Sequence, residues 1–410
     1  MKTKLVGNLL YGQSGGPTSV MNSSSYGLFK QAFKHKDVIK EIFVMHYGLE
    51  GLLKEDLILI KNEPNLKKLI NTPGAIFGSN RFKINFSKDT ETLEKIYNVL
   101  KKYNIRYFFY NGGNDSMDSI YQINLFLKKQ KYKCNCIGIP KTIDNDIVFM
   151  DHTPGFGSAT KFIINAVTEI YYDDFSYKKG RVNIVEIMGR NTGWLTASSM
   201  LSSLNNAKPD LIYVPEVDFD LDDFLIKVQK IYEAKKHCLV CVSEGIHDKN
   251  GNLISINNET YDAFNHLQLG GVGAYLAKLV ETKFNYKTRY FELSLLQRAN
   301  SIIPSEQDIK EAVTIGKKAL LYALKGKSGY MVNLKRISNK PYKIKHELID
   351  LALVKNKTKY LPLTYVNSTK DNINESYISY VLPLISGKQK NHLREDGLLD
   401  IYFLEKHHDN

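Results

Sequence analysis

With 410 residues, the chain exceeds what one small core organises, and roughly two or three domains are expected. Hydrophobic residues at 43% and charged residues at 24% exclude a disordered or collagen-like chain, and no apolar run reaches the 18 or so residues of a membrane helix, so a cytoplasmic protein without a membrane partner is expected. The net charge of +13 admits nucleic acid or small acidic substrates as partners, but the lysines lie scattered between acidic residues with no basic stripe, which speaks against nucleic acid.

In chain order, apolar strand-like runs each stop at a glycine or a polar cluster. Leu5 to Tyr11 runs into Gly-Gln-Ser-Gly-Gly, Tyr107 to Tyr110 into Asn-Gly-Gly-Asn-Asp, and Ile137 to Pro140 into Lys-Thr-Ile-Asp-Asn-Asp. Val182 to Met188 runs into Gly-Arg, and His237 to Val242 into Ser-Glu-Gly. Helix-length segments separate them: Met21 to Phe33, Glu91 to Lys102, Ser158 to Tyr172 and Leu221 to Lys235. Strand followed by helix, repeated, predicts an α/β fold of Rossmann-like parallel sheets covered on both faces. In such sheets ligands bind beyond the carboxyl ends of the strands, where every polar cluster falls. Cys134, Cys136, Cys238 and Cys241 interrupt predicted core strands, which predicts buried reduced thiols instead of disulfides or a zinc site.

The polar clusters carry the chemistry. Gly15 and Gly16 follow a strand and precede a helix, so the backbone there can approach a phosphate closely, although such pairs also simply make turns. Gly112-Gly113-Asn114-Asp115-Ser116 has the same setting. Asp115 is unusual in it, because a carboxylate at a phosphate-binding turn must hold a cation or exclude a competing ligand. The most specific stretch is Lys141-Thr142-Ile143-Asp144-Asn145-Asp146. A lysine followed by two carboxylates suits phosphoryl transfer, one carboxylate accepting the proton of an attacking hydroxyl while cations bear the phosphate charge. Arg81, Arg181, Met188-Gly189-Arg190, Glu244, Arg289 and Arg298 stand at other strand ends. The planar guanidinium fork of their arginines suits phosphate oxygens.

Over residues 5 to 310 these motifs together resemble the 6-phosphofructokinase family, and more closely its pyrophosphate-dependent branch. The resemblance implies a fold of two α/β domains facing a cleft, the second inserted in the first: 1–155 with 297–328 binding the donor, 156–296 binding the sugar phosphate. A C-terminal extension, 329–410, has no role that the resemblance supplies. Asp144 matches the family's proton acceptor, beside Asp146 in the same catalytic loop. Gly15, Gly16, Arg81, Gly112, Gly113, Asp115, Ser116 and Lys141 match donor contacts. Thr142, Ile143, Met188, Gly189, Arg190, Glu244, Leu295 and Arg298 match sugar-phosphate contacts, although Leu295 stands where a histidine or tyrosine is common. Arg181 and Arg289 match arginines that reach across a subunit interface, which implies a homodimer or higher oligomer.

Two positions choose the donor. Asp115 and Lys141 resemble the pyrophosphate branch. An aspartate there would sit where the α-phosphate of ATP needs room, and two charges about 4 Å apart at an effective dielectric near 20 repel by roughly 4 kcal/mol. The implied reaction is reversible transfer of a phosphoryl group from pyrophosphate to the 1-hydroxyl of fructose 6-phosphate, with Mg2+ held by Asp115 and, in place of a usual aspartate, Asn114. An ATP-dependent enzyme of the same fold and a non-catalytic sugar-phosphate-binding relative stay open as alternatives.

Overall fold

The computed structural model describes residues 4–254, 271–355, 357–387 and 393–404. Two sheets organise it. The first runs in the order β11-β10-β5-β4-β1-β2-β3, built from β1 (Gly7–Gln13), β2 (Ile39–Met45), β3 (Leu57–Leu59), β4 (Ile105–Gly112), β5 (Asn135–Pro140), β10 (Tyr330–Asn339) and β11 (Tyr342–Asp350). Its inner strands pair in parallel, and antiparallel β3 and β11 close its edges. The second sheet, in the order β7-β8-β6-β9, is parallel throughout and consists of β6 (Val182–Ile187), β7 (Leu211–Tyr213), β8 (Cys238–Ser243) and β9 (Thr288–Glu292).

Burial explains why the inner strands were readable. β6 and β8 are buried along their whole length, as expected where helices cover both faces of a parallel sheet and no polar face is needed. Alternation then divides β6 between two cores: Val182 and Ile184 point to one, Val185 and Ile187 to the other. The expected helices form as Met21–Ala32, Thr90–Lys102, Phe156–Phe175 and Leu221–Lys235. Asp220 caps the last of these, its side chain accepting from the amides of Asp222 and Asp223. All four cysteines are free and buried.

The segment after Gly329 is shared between both layers. It supplies β10 and β11 to the first sheet. It then crosses to the second, where Leu361, Val366, Ile373, Tyr377, Val381 and Leu384 join the core formed with Phe156, Val185 and Trp194. Among the described residues no helix is long and apolar enough to cross a membrane.

Candidate active site

Three turns at the carboxyl ends of β1, β4 and β5 meet around a cavity of about 480 Å³. The turn after β1 needs glycine at Gly15, whose φ of +75° strains any other residue. Its N–H donates to the Asn80 carbonyl over 3.1 Å and its own carbonyl accepts from Ser79 Oγ at 2.7 Å. The turn is thereby fixed to the segment that carries Arg81 into the cavity. Gly16 follows Gly15, packed beside the Arg298 guanidinium.

The turn after β4 opens the helix Asn114–Lys129, whose first amides have no side-chain cap. Gly113, Asn114, Asp115 and Ser116 line the cavity, and a helix N-terminus there attracts an anion through its unpaired N–H groups and its dipole. Gly112 lies just outside the lining. A Cβ on it would fall 2.0 Å from Ser116 Oγ, so glycine is what lets the helix start this close to the strand.

The turn after β5 carries Lys141 through Asp146. Lys141 is 2% exposed, and its ammonium donates to the carbonyls of Ser14 at 2.8 Å and Gly16 at 2.5 Å. The amine thus lines the cavity and also ties the third turn to the first. Burial, helped by Arg298 and Arg81 and opposed by Asp144, brings its pKa down to about 7. Thr142 Oγ1 accepts from the Asp144 amide at 3.1 Å, and Thr192 Oγ1 donates to the Asp144 carbonyl at 3.1 Å. Burial raises the Asp144 carboxyl above the usual carboxylate range, against the pull of Lys141 and Arg190. Asp146 is pushed up to about 7 by burial and by the neighbouring Asp144.

Across the cavity stand Met188, Arg190, Glu244 and Arg298. Glu244, pushed up to about 7 by burial, accepts the Gly189 amide at 3.2 Å. The Nε groups of Arg190 and Arg298 are buried with no hydrogen-bond partner. A buried charged donor left unmade is costly, so both await an acceptor, and together with Arg81 they fit an anion with several oxygens.

Two oxygens beside the cavity are of a kind that suits a divalent cation. Asn114 Nδ2 donates to Asp146 Oδ2 at 2.9 Å, while Asn114 Oδ1 and Asp146 Oδ1 are buried without partners. These are hard oxygens of the kind Mg2+ takes, usually one or two from protein with phosphates and water completing the shell. Among the described residues no three acidic, histidine or cysteine side chains form a ready-made metal cluster. Asp115, expected as a ligand, has its carboxylate 3.9 Å from Lys83 Nζ and partly exposed.

Residues 8–323 match the family model described as Phosphofructokinase. The chain belongs to the phosphofructokinase family. It is 36% identical over 409 residues to the pyrophosphate--fructose 6-phosphate 1-phosphotransferase of Halomonas elongata, covering 98% of this chain and 96% of that one. To the protein of the same name from Xanthomonas campestris pv. campestris it is 37% identical over 398 residues, covering 96% and 94%. The crystal structure of a pyrophosphate-dependent phosphofructokinase from Marinobacter aquaeolei superposes with a TM-score of 0.85 at 33% identity, covering 98% of both chains.

Not every expected residue of this phosphofructokinase reaches the cavity. Arg181 and Arg289 lie apart from it, in an open depression shared with Lys278 and Lys287. Leu295 is 57% exposed and outside the lining, and an apolar side chain offers a phosphate no donor. Conversely, Lys357 and Thr358 line the cavity unforeseen. They belong to the extension, in a lysine-rich stretch that reads as solvated surface. Asn191 and Thr192, next to Arg190, also line it, as do Ser14, Pro17 and Thr18 beside the glycine pair.

Proposed function

We propose that this phosphofructokinase transfers a phosphoryl group from pyrophosphate to the 1-hydroxyl of fructose 6-phosphate, reversibly, giving fructose 1,6-bisphosphate and phosphate. The observation that carries the reading is the meeting of the half-buried Asp144 carboxyl and the unpartnered Nε groups of Arg190 and Arg298 on one cavity. The near full-length match to relatives named for this reaction supports it.

Asp144 takes the proton of the 1-hydroxyl as that oxygen forms its bond to phosphorus and the bridging P–O bond of pyrophosphate breaks, the electron pair leaving with phosphate. Arg81, Arg190 and Arg298 and the amides opening the helix Asn114–Lys129 bear the charge on the oxygens in flight. Glu244 and Met188 face the sugar. Mg2+, when bound, would be held through Asn114 Oδ1 and Asp146 Oδ1, with Asp115 nearby, and would neutralise pyrophosphate charge. In this reading the first sheet with the helix Glu306–Leu324 is the donor side and the second sheet the sugar side. Arg181 and Arg289, remote from their own cavity, serve a neighbouring copy in a homodimer or larger assembly. The free, buried cysteines suit a reducing cytoplasm.

Following both substrates by phosphorus NMR tests the reaction itself. Pyrophosphate should give way to equal amounts of phosphate and the new sugar bisphosphate resonance, and an unchanged spectrum with active-site Mg2+ supplied would refute the proposal.

A further inference from the structure

The catalytic turn is gripped from outside by the extension. Asn145, between the two carboxylates, sits in the left-handed region with φ of +55°, a conformation asparagine tolerates better than most residues but does not hold unaided. Its amide is pinned at both ends: Nδ2 donates to Tyr380 Oη at 2.8 Å and Oδ1 accepts from Lys359 Nζ at 2.9 Å. Lys359 Nζ also donates to the carbonyls of Met150 at 3.0 Å and Asp151 at 2.9 Å, so its three protons are all committed to this one loop. The Lys359 backbone amide donates to the Asp146 carbonyl at 2.7 Å, and Tyr380 Oη donates to the Asp151 carbonyl at 2.6 Å.

The grip is anchored on the other layer. Trp194 Nε1 donates to the Lys359 carbonyl at 2.9 Å, and the Leu361 amide donates to Glu216 Oε1 at 2.9 Å. Arg336 holds Asp151 Oδ2 at 3.0 Å through Nε and the Tyr380 carbonyl at 2.9 Å through Nη1. A single strap of chain therefore fixes residues 145–151 with reference to both sheets.

We infer that Lys359 and Tyr380 are positioning residues that hold the Asp144–Asn145–Asp146 turn in its reactive geometry, an inference that rests on the phosphoryl transfer proposed above. Neither side chain needs to touch substrate: the amine and hydroxyl protons are already spent on Asn145, Met150 and Asp151. Release of the turn would move the Asp144 carboxylate relative to the sugar hydroxyl, and a displacement of about 1 Å costs on the order of a hundredfold in rate. The arginines that bind the phosphates, Arg81, Arg190 and Arg298, are carried by other segments and would stay in place.

The test compares Tyr380→Phe with Tyr377→Phe. The Tyr377 hydroxyl donates to the Trp194 carbonyl at 2.7 Å, in the same aromatic cluster but without contact to the turn. Tyr380→Phe should lower kcat by about tenfold or more with both KM values within about twofold, and Tyr377→Phe should leave kcat near wild type. Lys359→Met, if folded, should lower kcat further, on the order of a hundredfold. Equal losses in both tyrosine variants, or wild-type kcat in Tyr380→Phe, would overturn the inference. Hydrogen exchange over residues 142–151 gives a readout independent of turnover: it should quicken in Tyr380→Phe and not in Tyr377→Phe, and unchanged exchange would overturn the inference. A wild-type protein inactive with pyrophosphate would instead count against the proposed reaction.

Discussion

Lys141 Nζ lies 2.5 Å from the Gly16 carbonyl oxygen. Through that bond and its companion to Ser14, the residue preceding Thr142 fastens the turn after β1 to the turn after β5. Replacement by methionine should remove the clasp and lower kcat on the order of a hundredfold, with sugar-phosphate binding changed by less than about threefold. A variant with normal turnover would show that the clasp is dispensable. The same amine, lowered to about 7 by burial, gains an anionic neighbour when pyrophosphate arrives, which favours its charged form. Calorimetry in buffers of different ionisation enthalpy should thus find proton uptake near pH 8 that the methionine variant lacks.

Asp144 should be indispensable to turnover and dispensable to binding. Asp144→Ser is expected to lose at least about a hundredfold in kcat, within the range for general-base catalysis, while fructose 6-phosphate still binds. Burial raises Asp144 above the ordinary carboxylate range and brings Asp146 to about 7, so the two carboxyls take up protons at a higher pH than free aspartates do. The acidic limb of the wild-type rate profile should therefore lie well above the ordinary carboxylate range; a limb near pH 4 would contradict the buried site.

Asp115 should act against ATP. The structure places it on the second residue of the helix Asn114–Lys129, on the cavity wall, where a repulsion of roughly 4 kcal/mol toward an α-phosphate is expected. Asp115→Gly should raise kcat/KM for ATP by at least about tenfold, a cautious fraction of that energy. Lys141 is best left intact in this experiment, since its loss loosens the first turn. No gain with ATP would remove Asp115 from the gate.

His152 gives a prediction about stability. Burial lowers its pKa, but Glu311 at 2.5 Å and Asp151 at 2.7 Å outweigh that and raise it to about 9. A group raised on folding stabilises fully below its unfolded pKa and loses that contribution as pH climbs through the folded one. The unfolding free-energy gap between wild type and His152→Gln should therefore narrow from pH 6 to pH 10, by a few kcal/mol. A gap that stays constant would mean that folding leaves the His152 pKa unchanged.

The residues show where sequence reading works and where it stops. Strands buried along all or nearly all their length, such as β4, β5, β6 and β8, announce themselves as apolar runs, and the polar clusters that end the strands could be read with them, which is why Gly15, Asp144 and Arg190, all found lining one cavity, were legible together. Edge strands were not: β3 and β7 span three residues each, and β9 leaves much of its length exposed. Lys359 and Tyr380 were illegible for a different reason. A lysine in a basic run and a tyrosine in an aromatic stripe look like surface and core, and only the fold brings them to Asn145, more than 200 residues earlier in the chain. Burial also decides what Lys141 does, because its ammonium meets carbonyl oxygens that no local pattern reveals.

Donor choice tests the central claim most directly. Initial rates of fructose 1,6-bisphosphate formation, measured on the purified protein with Mg2+ and either pyrophosphate or ATP, should give a kcat/KM for pyrophosphate at least about a hundredfold above that for ATP, in keeping with the charge repulsion at Asp115. Equal or greater use of ATP would contradict the donor assignment, and no product from either donor would contradict the proposed reaction.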